Sequence, residues 1–418
     1  GWAEPAVWTE RMLTALEKGV QGGVWFSLID KVTSLRGLQA AWEQVRRNRG
    51  SGGVDRETID QFGRHAESRL SQLSTQLDAG SYQPRPVRRV YIPKPDGRKR
   101  PWGIPAVRDR IVQAALRNAL EPIFEREFCE HSYGFRPGRG AKDALRRVDG
   151  QLKDGYRYVL DADLKSYFDT IPHDRLLTLV SQRVADGRVL ALVKAFLNQS
   201  VLEEMREWKP TEGTPQGGVI SPLLANIYLH PLDQLMRDQG YEMTRYADDF
   251  VVLCRTAEEC SRGLEMIRGW VAEAGLTLHP DKTRVVDMHE PGGFDFLGYH
   301  FEQGHRTPRA KSLEKLRDTI RAKTRRNNGR SLSITIGNLN CTLRGWFEYF
   351  KHSLPWVFRE LDGWIRMRLR SILRKRQGKR GRGRGSDHQR WTNDYFAREG
   401  LFSMLTAYRR ASQPRGAH

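Results

Sequence analysis

The sequence predicts an α+β protein: a mixed region organised round an antiparallel sheet, followed by a bundle of amphipathic helices. Three observations carry this. Arg245-Tyr246-Ala247-Asp248-Asp249-Phe250-Val251-Val252-Leu253 sets two carboxylates between apolar flanks. Val, Leu, Phe and Tyr favour a pleated surface and Asp favours turns, so the stretch reads as a hairpin with the acidic pair at its tip. Tyr158-Val159-Leu160-Asp161-Ala162-Asp163 alternates with period two, which puts Val159, Asp161 and Asp163 on one face and Tyr158, Leu160 and Ala162 on the other. Beyond residue 303 the apolar spacing changes to the three- and four-residue steps of helices.

In chain order, residues 1–80 read as mainly helical, because Leu28, Val32, Leu35, Leu38 and Trp42 recur at helical steps. Residues 81–303 mix strands and helices around the sheet. Within them, Lys94-Pro95-Asp96-Gly97-Arg98-Lys99-Arg100 reads as a hairpin tip with an Asp-Gly turn. Its cations can neutralise a polyphosphate, and guanidinium groups suit two-pronged phosphate contact. Gln216 lies in the turn-rich Pro215-Gln216-Gly217-Gly218 loop, where glycines let a ligand approach the backbone.

Residues 304–376 predict three helices. Leu313, Leu316 and Ile320 form the buried stripe of the first, amid Lys311, Lys315, Arg317, Arg321, Lys323, Arg325 and Arg326. Leu339, Leu343, Trp346, Phe347 and Phe350 mark the second, and Leu361, Ile365, Leu369 and Leu373 the third. The run from Arg374 to Gly385 is too rich in glycine and like charge to fold alone, and reads as a flexible basic linker or phosphate-binding arm. Trp391, Tyr395, Phe396, Leu401, Phe402 and Leu405 supply enough apolar surface to dock a terminal segment, not to build a domain.

The acidic residues pose the chemical question. Neighbouring carboxylates repel, and a hard divalent cation with oxygen ligands, such as Mg²⁺, relieves them. If Asp163 meets Asp248 and Asp249 across the sheet, three carboxylates can hold two metals about 3.5 to 4 Å apart, an arrangement that activates an attacking oxygen and stabilises a leaving one. That is phosphoryl-transfer chemistry.

The tip, the acidic strand and Gly213-Thr214-Pro215-Gln216-Gly217-Gly218-Val219-Ile220-Ser221-Pro222-Leu223-Leu224-Ala225-Asn226 resemble the reverse transcriptases encoded by bacterial group II introns. YIPKPDGRKRPWGIPAVRDRIVQ (91–113), HSYGFRPGRG (131–140), GLTLHPDKT (275–283), FDFLGYHF (294–301) and LRGWFEYFK (343–351) extend the resemblance in the family's order. It implies a right-hand polymerase: an N-terminal extension (1–80), fingers and palm with an antiparallel palm sheet (81–303), an α-helical thumb or maturase domain (304–376), and a basic linker with a short DNA-binding-like segment (377–418).

The same resemblance implies an RNA-directed DNA polymerase. Asp163, Asp248 and Asp249 would be its catalytic carboxylates and, with Leu164, its metal site, taking two Mg²⁺ ions with Mn²⁺ as a substitute. Lys94, Arg100, Phe168, Gln216 and Lys282 would contact the dNTP. Phe168 matches the gate beneath the sugar, where a bulky ring clashes with a 2′-hydroxyl. Arg317, Arg321, Arg325, Arg326 and Arg344 would contact nucleic acid. The implied partners are an RNA template, a DNA or RNA primer, dNTPs and intron RNA, with DNA as a further template. The sequence departs from many relatives in having no Cys- and His-bearing HNH endonuclease, so target-strand cleavage is not expected of it.

Composition agrees with a nucleic-acid partner. With 418 residues and 39% apolar content there is material for two or three cored units. Seventy Lys and Arg against fifty Asp and Glu leave a net charge of +20, which suits a polyanion and predicts steeply salt-dependent binding. No apolar run predicts a membrane span and no signal peptide is evident, so a cytosolic location is expected. Cys129, Cys254, Cys260 and Cys341 lack the spacing of a zinc ribbon or disulfide framework, and Cys254 reads as core. Three roles stay open at this point: an intron-encoded maturase that also copies its intron, a free-standing relative acting in double-strand-break repair or defence, and a splicing cofactor with a silent palm.

Overall fold

The computed structural model describes residues 3–20, 23–93, 99–203, 206–327 and 329–412. The expected Asp-Gly turn and Lys94 fall outside the described residues. The chain forms two compact units, Gly1–Val286 and Asp287–His418.

The first unit opens with helices α1 (Glu10–Lys18), α2 (Ile29–Thr33), α3 (Leu35–Asn48), α4 (Ile59–Gly63) and α5 (Ala66–Asp78). Leu28, Val32, Leu38 and Trp42 are buried as their spacing requires, but Leu35 is 45% exposed. Ser34 explains the exception. Its extended backbone ends α2, and its hydroxyl accepts from Gly37 N to start α3, so the helical phase restarts and Leu35 turns outward. Asp186 ties this region to the rest of the unit by accepting from Leu28 N at 2.7 Å and Ile29 N at 2.8 Å.

Strands β1 (Val87–Pro93) and β2 (Lys99–Ile104) pair antiparallel on either side of the basic tip. Helices α6 (Val107–Glu125) and α7 (Ala141–Lys153) lead to β3 (Tyr158–Asp163), then to α8 (Tyr167–Thr170), α9 (His173–Ser181) and α10 (Gly187–Leu197). After β4 (Val201–Glu203), β5 (Arg206–Trp208) and α11 (Ser221–Asp238) comes the acidic hairpin, β6 (Glu242–Tyr246) and β7 (Asp249–Cys254); α12 (Ala257–Glu273) and β8 (Arg284–Asp287) close the unit. Two four-stranded sheets result, in the orders β2-β1-β4-β5 and β6-β7-β3-β8. Leu160 and Ala162 of β3 and Phe250, Val252 and Cys254 of β7 join the main core, the face that the alternation assigned to packing. Burying Leu160, Phe250 and Val252 contributes about 1.5 to 3 kcal/mol each relative to exposure.

The second unit begins with a meander of β9 (Phe294–Phe296), β10 (Tyr299–Glu302) and β11 (His305–Pro308). Helices α13 (Ala310–Lys323), α14 (Leu332–Phe350) and α15 (Pro355–Arg376) follow, then α16 (Ser386–Arg390), α17 (Asn393–Arg398) and α18 (Met404–Ser412). The stripes expected of the three long helices converge on one core containing Leu316, Leu339, Leu343, Leu361, Ile365 and Leu369. The FDFLGYHF stretch belongs with these helices: Tyr299 Oη donates to Tyr349 O at 2.6 Å, and Tyr349 Oη donates to Leu297 O at 2.7 Å.

The basic run starts later than expected, because Arg374, Lys375 and Arg376 form the last turn of α15, where cations meet the negative end of the helix dipole. The terminal segment docks as its composition suggested. Trp391, Phe396 and Met404 enter the core, and Asp362 accepts from Ser403 Oγ, Met404 N and Leu405 N, capping α18. Among the described residues no helix is long and apolar enough to cross a membrane.

Candidate active site

The central sheet assembles the acidic group. In the antiparallel β3–β7 pair Asp163 lies directly opposite Asp249, and Asp248 occupies the turn that joins β6 to β7. Ala247 bends that turn with a left-handed backbone, φ 58°. Burial, and then the charge of Asp163, push the Asp248 carboxyl above the usual carboxylate range, while a backbone hydrogen bond, Arg100 and Arg245 pull the other way. Cations meet the acidic strand face: Lys282 Nζ stands 2.8 Å from Asp163 Oδ2, and Arg284 Nε 3.6 Å from Asp161 Oδ2.

A closed three-carboxylate cage was expected, and the side chains do not form one. Among the described residues no three His, Cys, Asp or Glu side chains gather closely enough to hold an ion. Asp163 and Asp249 face each other across the strand pair while Asp248 lies in the turn, and Lys282 engages Asp163. The donor set nevertheless suits a hard divalent cation, since its members are oxygen anions on neighbouring backbone positions. Leu164 has an apolar, buried side chain, so only its main-chain carbonyl could serve as a ligand.

Behind the turn lies a buried brace that the sequence reading did not single out. Arg245 is fully buried. Its Nε and Nη2 donate to the two carboxylate oxygens of Asp233 at 2.7 and 2.6 Å, and its Nη1 donates to Asn226 Oδ1 at 2.9 Å and to Ala247 O at 2.7 Å. Asn226 in turn donates to Gly134 O at 2.8 Å. A Cβ on Gly134 would lie 2.3 Å from Ala247 N, so only glycine lets the HSYGF segment pass under the acidic turn. The available signal was an arginine two residues after Met243, on the same face of a strand, where burial requires an acidic partner elsewhere.

Of the residues expected at the nucleotide, Arg100, Phe168 and Gln216 come together around the neighbouring loop, whereas Lys282 stands against Asp163. Phe168 O accepts from Thr214 N at 2.7 Å, and Ile171 O from Gly213 N at 2.8 Å, which binds α8 to the loop carrying Gln216. Gly103 N donates to Gln216 O at 2.7 Å, so β2 grips the loop from its other side. Arg100 Nε reaches Gln216 Oε1 at 2.6 Å, and Gln216 Nε2 reaches Asp169 Oδ2 at 3.3 Å. A cleft of about 400 Å³ opens here, lined in part by Arg89, Trp102, Asp169, Thr214 and Gln216. The partly buried Phe168 ring packs edge-on to Tyr167 at 5.5 Å.

In the second unit the expected cations divide. Arg325 and Arg326 line a basic cleft of about 1130 Å³ with Arg330, Lys375, Lys379 and Arg380. Arg321 pairs with Asp318 at 2.6 Å and stands over Trp364, and Arg344 stands over Phe402, 5.1 Å from the ring centre. Arg317 lies on α13. Lys375, Lys379 and Arg380 join Arg325, Arg326 and Arg330 in the cleft only because the chain returns along α15, which a linear reading does not reveal.

A family model described as reverse transcriptase (RNA-dependent DNA polymerase) matches residues 92–301, half of the chain, and one described as the group II intron, maturase-specific domain matches 313–391. The chain belongs to the reverse transcriptase family, in its group II intron branch. Protein YkfC of Escherichia coli (strain K12) is 39% identical over 270 residues, 55% of this chain and 70% of that protein. The group II intron-encoded protein LtrA of Lactococcus lactis subsp. cremoris is 39% identical over 199 residues, covering 47% of this chain and 33% of that protein. A 91 kDa protein in the cob intron of Schizosaccharomyces pombe is 38% identical over 200 residues, covering 47% and 24% respectively. The reverse transcriptase match thus contains the acidic sheet and the Gln216 loop, and the maturase match contains α13 to α15 apart from the first residues of α13.

Proposed function

We propose that this reverse transcriptase extends a primer 3′-hydroxyl with dNTPs on an RNA template, and that its helical unit binds intron RNA in support of splicing and retrohoming. The observation that carries the reading is the β3–β7 register, which brings Asp163 beside Asp249 and the Asp248 turn. Asp163 and Asp248 would hold two Mg²⁺ ions, or Mn²⁺ in their place, with Asp249 supporting them. Ions bound there would supply activation of the attacking oxygen and stabilisation of the leaving one.

The remaining work falls to the chain's own residues. The primer 3′-hydroxyl gives up its proton to solvent as its oxygen bonds to the α-phosphorus, the bond to the bridging oxygen breaks, and pyrophosphate leaves. Arg100 and Lys282 neutralise phosphate charge, and Lys94 is assigned the same task by its place in the basic tip. Gln216 touches the nucleotide, and Phe168 lies beneath its sugar and excludes a 2′-hydroxyl. Arg325 and Arg326 track a nucleic-acid backbone.

Primer extension on an RNA template with Mg²⁺ tests this. Asp248→Ala should abolish extension while RNA binding persists. Appreciable synthesis by that variant would remove Asp248 from the chemistry, and failure of the wild-type chain to extend any primer would remove the polymerase reading.

A further inference from the structure

We propose that Asp169 is a positioning residue for nucleotide binding, acting through Gln216 by fixing which end of its amide faces Arg100. The proposal rests on the reading that Gln216 touches the incoming nucleotide. Gln216 stands between two ions of opposite kind: Arg100 Nε lies 2.6 Å from Oε1, and Asp169 Oδ2 lies 3.3 Å from Nε2. An ionised carboxylate only accepts hydrogen bonds and a guanidinium only donates them. The two neighbours therefore admit one orientation of the amide. Rotating it by half a turn would set its NH₂ against the guanidinium and its carbonyl against the carboxylate.

The backbone around this relay is already fixed. Gly213, at φ 85°, lies so close to Asp169 that a Cβ there would stand 2.7 Å from Asp169 O. Gly213 N and Thr214 N are bonded to Ile171 O and Phe168 O, and Gln216 O accepts from Gly103 N. The freedom left to Gln216 is in its side chain, and Asp169 holds one end of it. Burial raises the Asp169 carboxyl above its ordinary value, while Arg89, the Gln216 amide and Arg100 favour the charged form. With its carbonyl turned to Arg100 Nε, Gln216 also anchors one edge of that guanidinium and leaves the opposite edge to meet phosphate.

A plain counter-ion role for Asp169 makes different predictions, and steady-state primer extension with Asp169→Ala, Asp169→Asn, Gln216→Ala and the Asp169→Ala/Gln216→Ala pair separates the two. Loss of one hydrogen bond that orients a ligand contact corresponds to about a tenfold rise in KM for dNTP, with kcat within about twofold. Asp169→Asn keeps an accepting oxygen while removing the charge, and should stay within about threefold of wild type. The double variant should be no worse than Gln216→Ala alone, because Asp169 has nothing left to position. Three results overturn the proposal: an unchanged KM in Asp169→Ala, additive losses in the pair, or an Asp169→Asn as impaired as Asp169→Ala. A wild-type chain that extends no primer would instead defeat the polymerase reading, and this proposal with it.

Discussion

Replacing Arg245 by Met removes the cation of a buried pair whose side chains are 1% and 3% exposed. Four hydrogen bonds go with it: two to Asp233, one to Asn226 and one to Ala247 O. Asp233 is left as an uncompensated buried charge, and breaking such a pair from one side typically costs about 3 to 5 kcal/mol. Much of that loss belongs to the stranded carboxylate. Adding Asp233→Leu should therefore recover about half or more of it, because replacing both ions with apolar groups is often near neutral. Hydrogen exchange of the β6 and β7 amides is the suitable assay, since it reads local opening without requiring the two units to unfold together. Primer extension measured alongside should fall further than stability alone explains, and should stay low in the double variant, where Ala247 O still lacks its donor. A loss below about 1 kcal/mol in Arg245→Met, or a double variant as unstable as the sum of its parts, would refute the buried-ion argument.

Three further outcomes are expected. Phe168→Val should raise rNTP incorporation relative to dNTP by roughly tenfold or more, measured by competing the two on one template; no gain would remove the gate assignment. Changing Arg325 and Arg326 together to Gln should make the plot of log affinity against log salt shallower by about 1 to 2, and an unchanged slope would take the basic cleft out of nucleic-acid binding. His230, whose ring nitrogens have no hydrogen-bond partner among the described residues, is held by burial at a pKa of about 4, with Asp233 opposing and Arg245, Arg237 and Arg136 reinforcing. An unfolded His titrates near 6.5. As pH falls below that value the unfolded chain takes up a proton that the folded chain refuses, so stability is full near neutrality and lower by about 2 kcal/mol at pH 5. Denaturant melts at pH 7.5 and 5 should show that limb flattened in His230→Phe, and an identical pH dependence in the variant would exclude His230 as its source.

What could be read from the residues follows the range of the forces involved. Period-two alternation is local, and it identified the core face of β3 as Leu160 and Ala162 correctly. Helical stripes are local as well, and Leu316, Leu343 and Ile365 sit where their spacing puts them. The meeting of Asp163 with the Asp248 turn needed a strand pairing, which the acidic face made the sensible guess and the register supplies. Leu35 misled because a capping serine one residue earlier resets the helix, an interaction with the backbone rather than with the core. Arg245 escaped notice because its partners, Asp233 and Asn226, lie on a different element, and burial of a charge is intelligible only once its counter-ion is located. Asp169 carries no periodic signal of its own, and its relation to Gln216 depends on a loop folding back across α8, which a linear reading does not report.

The brace behind the acidic turn also explains how that turn keeps its demand for cations. A free arginine so placed would neutralise the neighbouring carboxylates. Arg245 is instead matched by Asp233 through both carboxylate oxygens, so it contributes geometry to the turn and little net charge. The Asp248 carboxyl is raised above the ordinary range, chiefly by burial, although Arg245 pulls it the other way. Beyond a backbone hydrogen bond at Asp248 and the pull of Arg245, cationic compensation for Asp163 and Asp248 comes from Lys282 and Arg100. A site braced from behind by an ion pair that is matched within itself keeps its carboxylates suited to added cations. A positive brace would instead have discouraged them by repulsion, and a simple apolar support would have left Ala247 O without a donor.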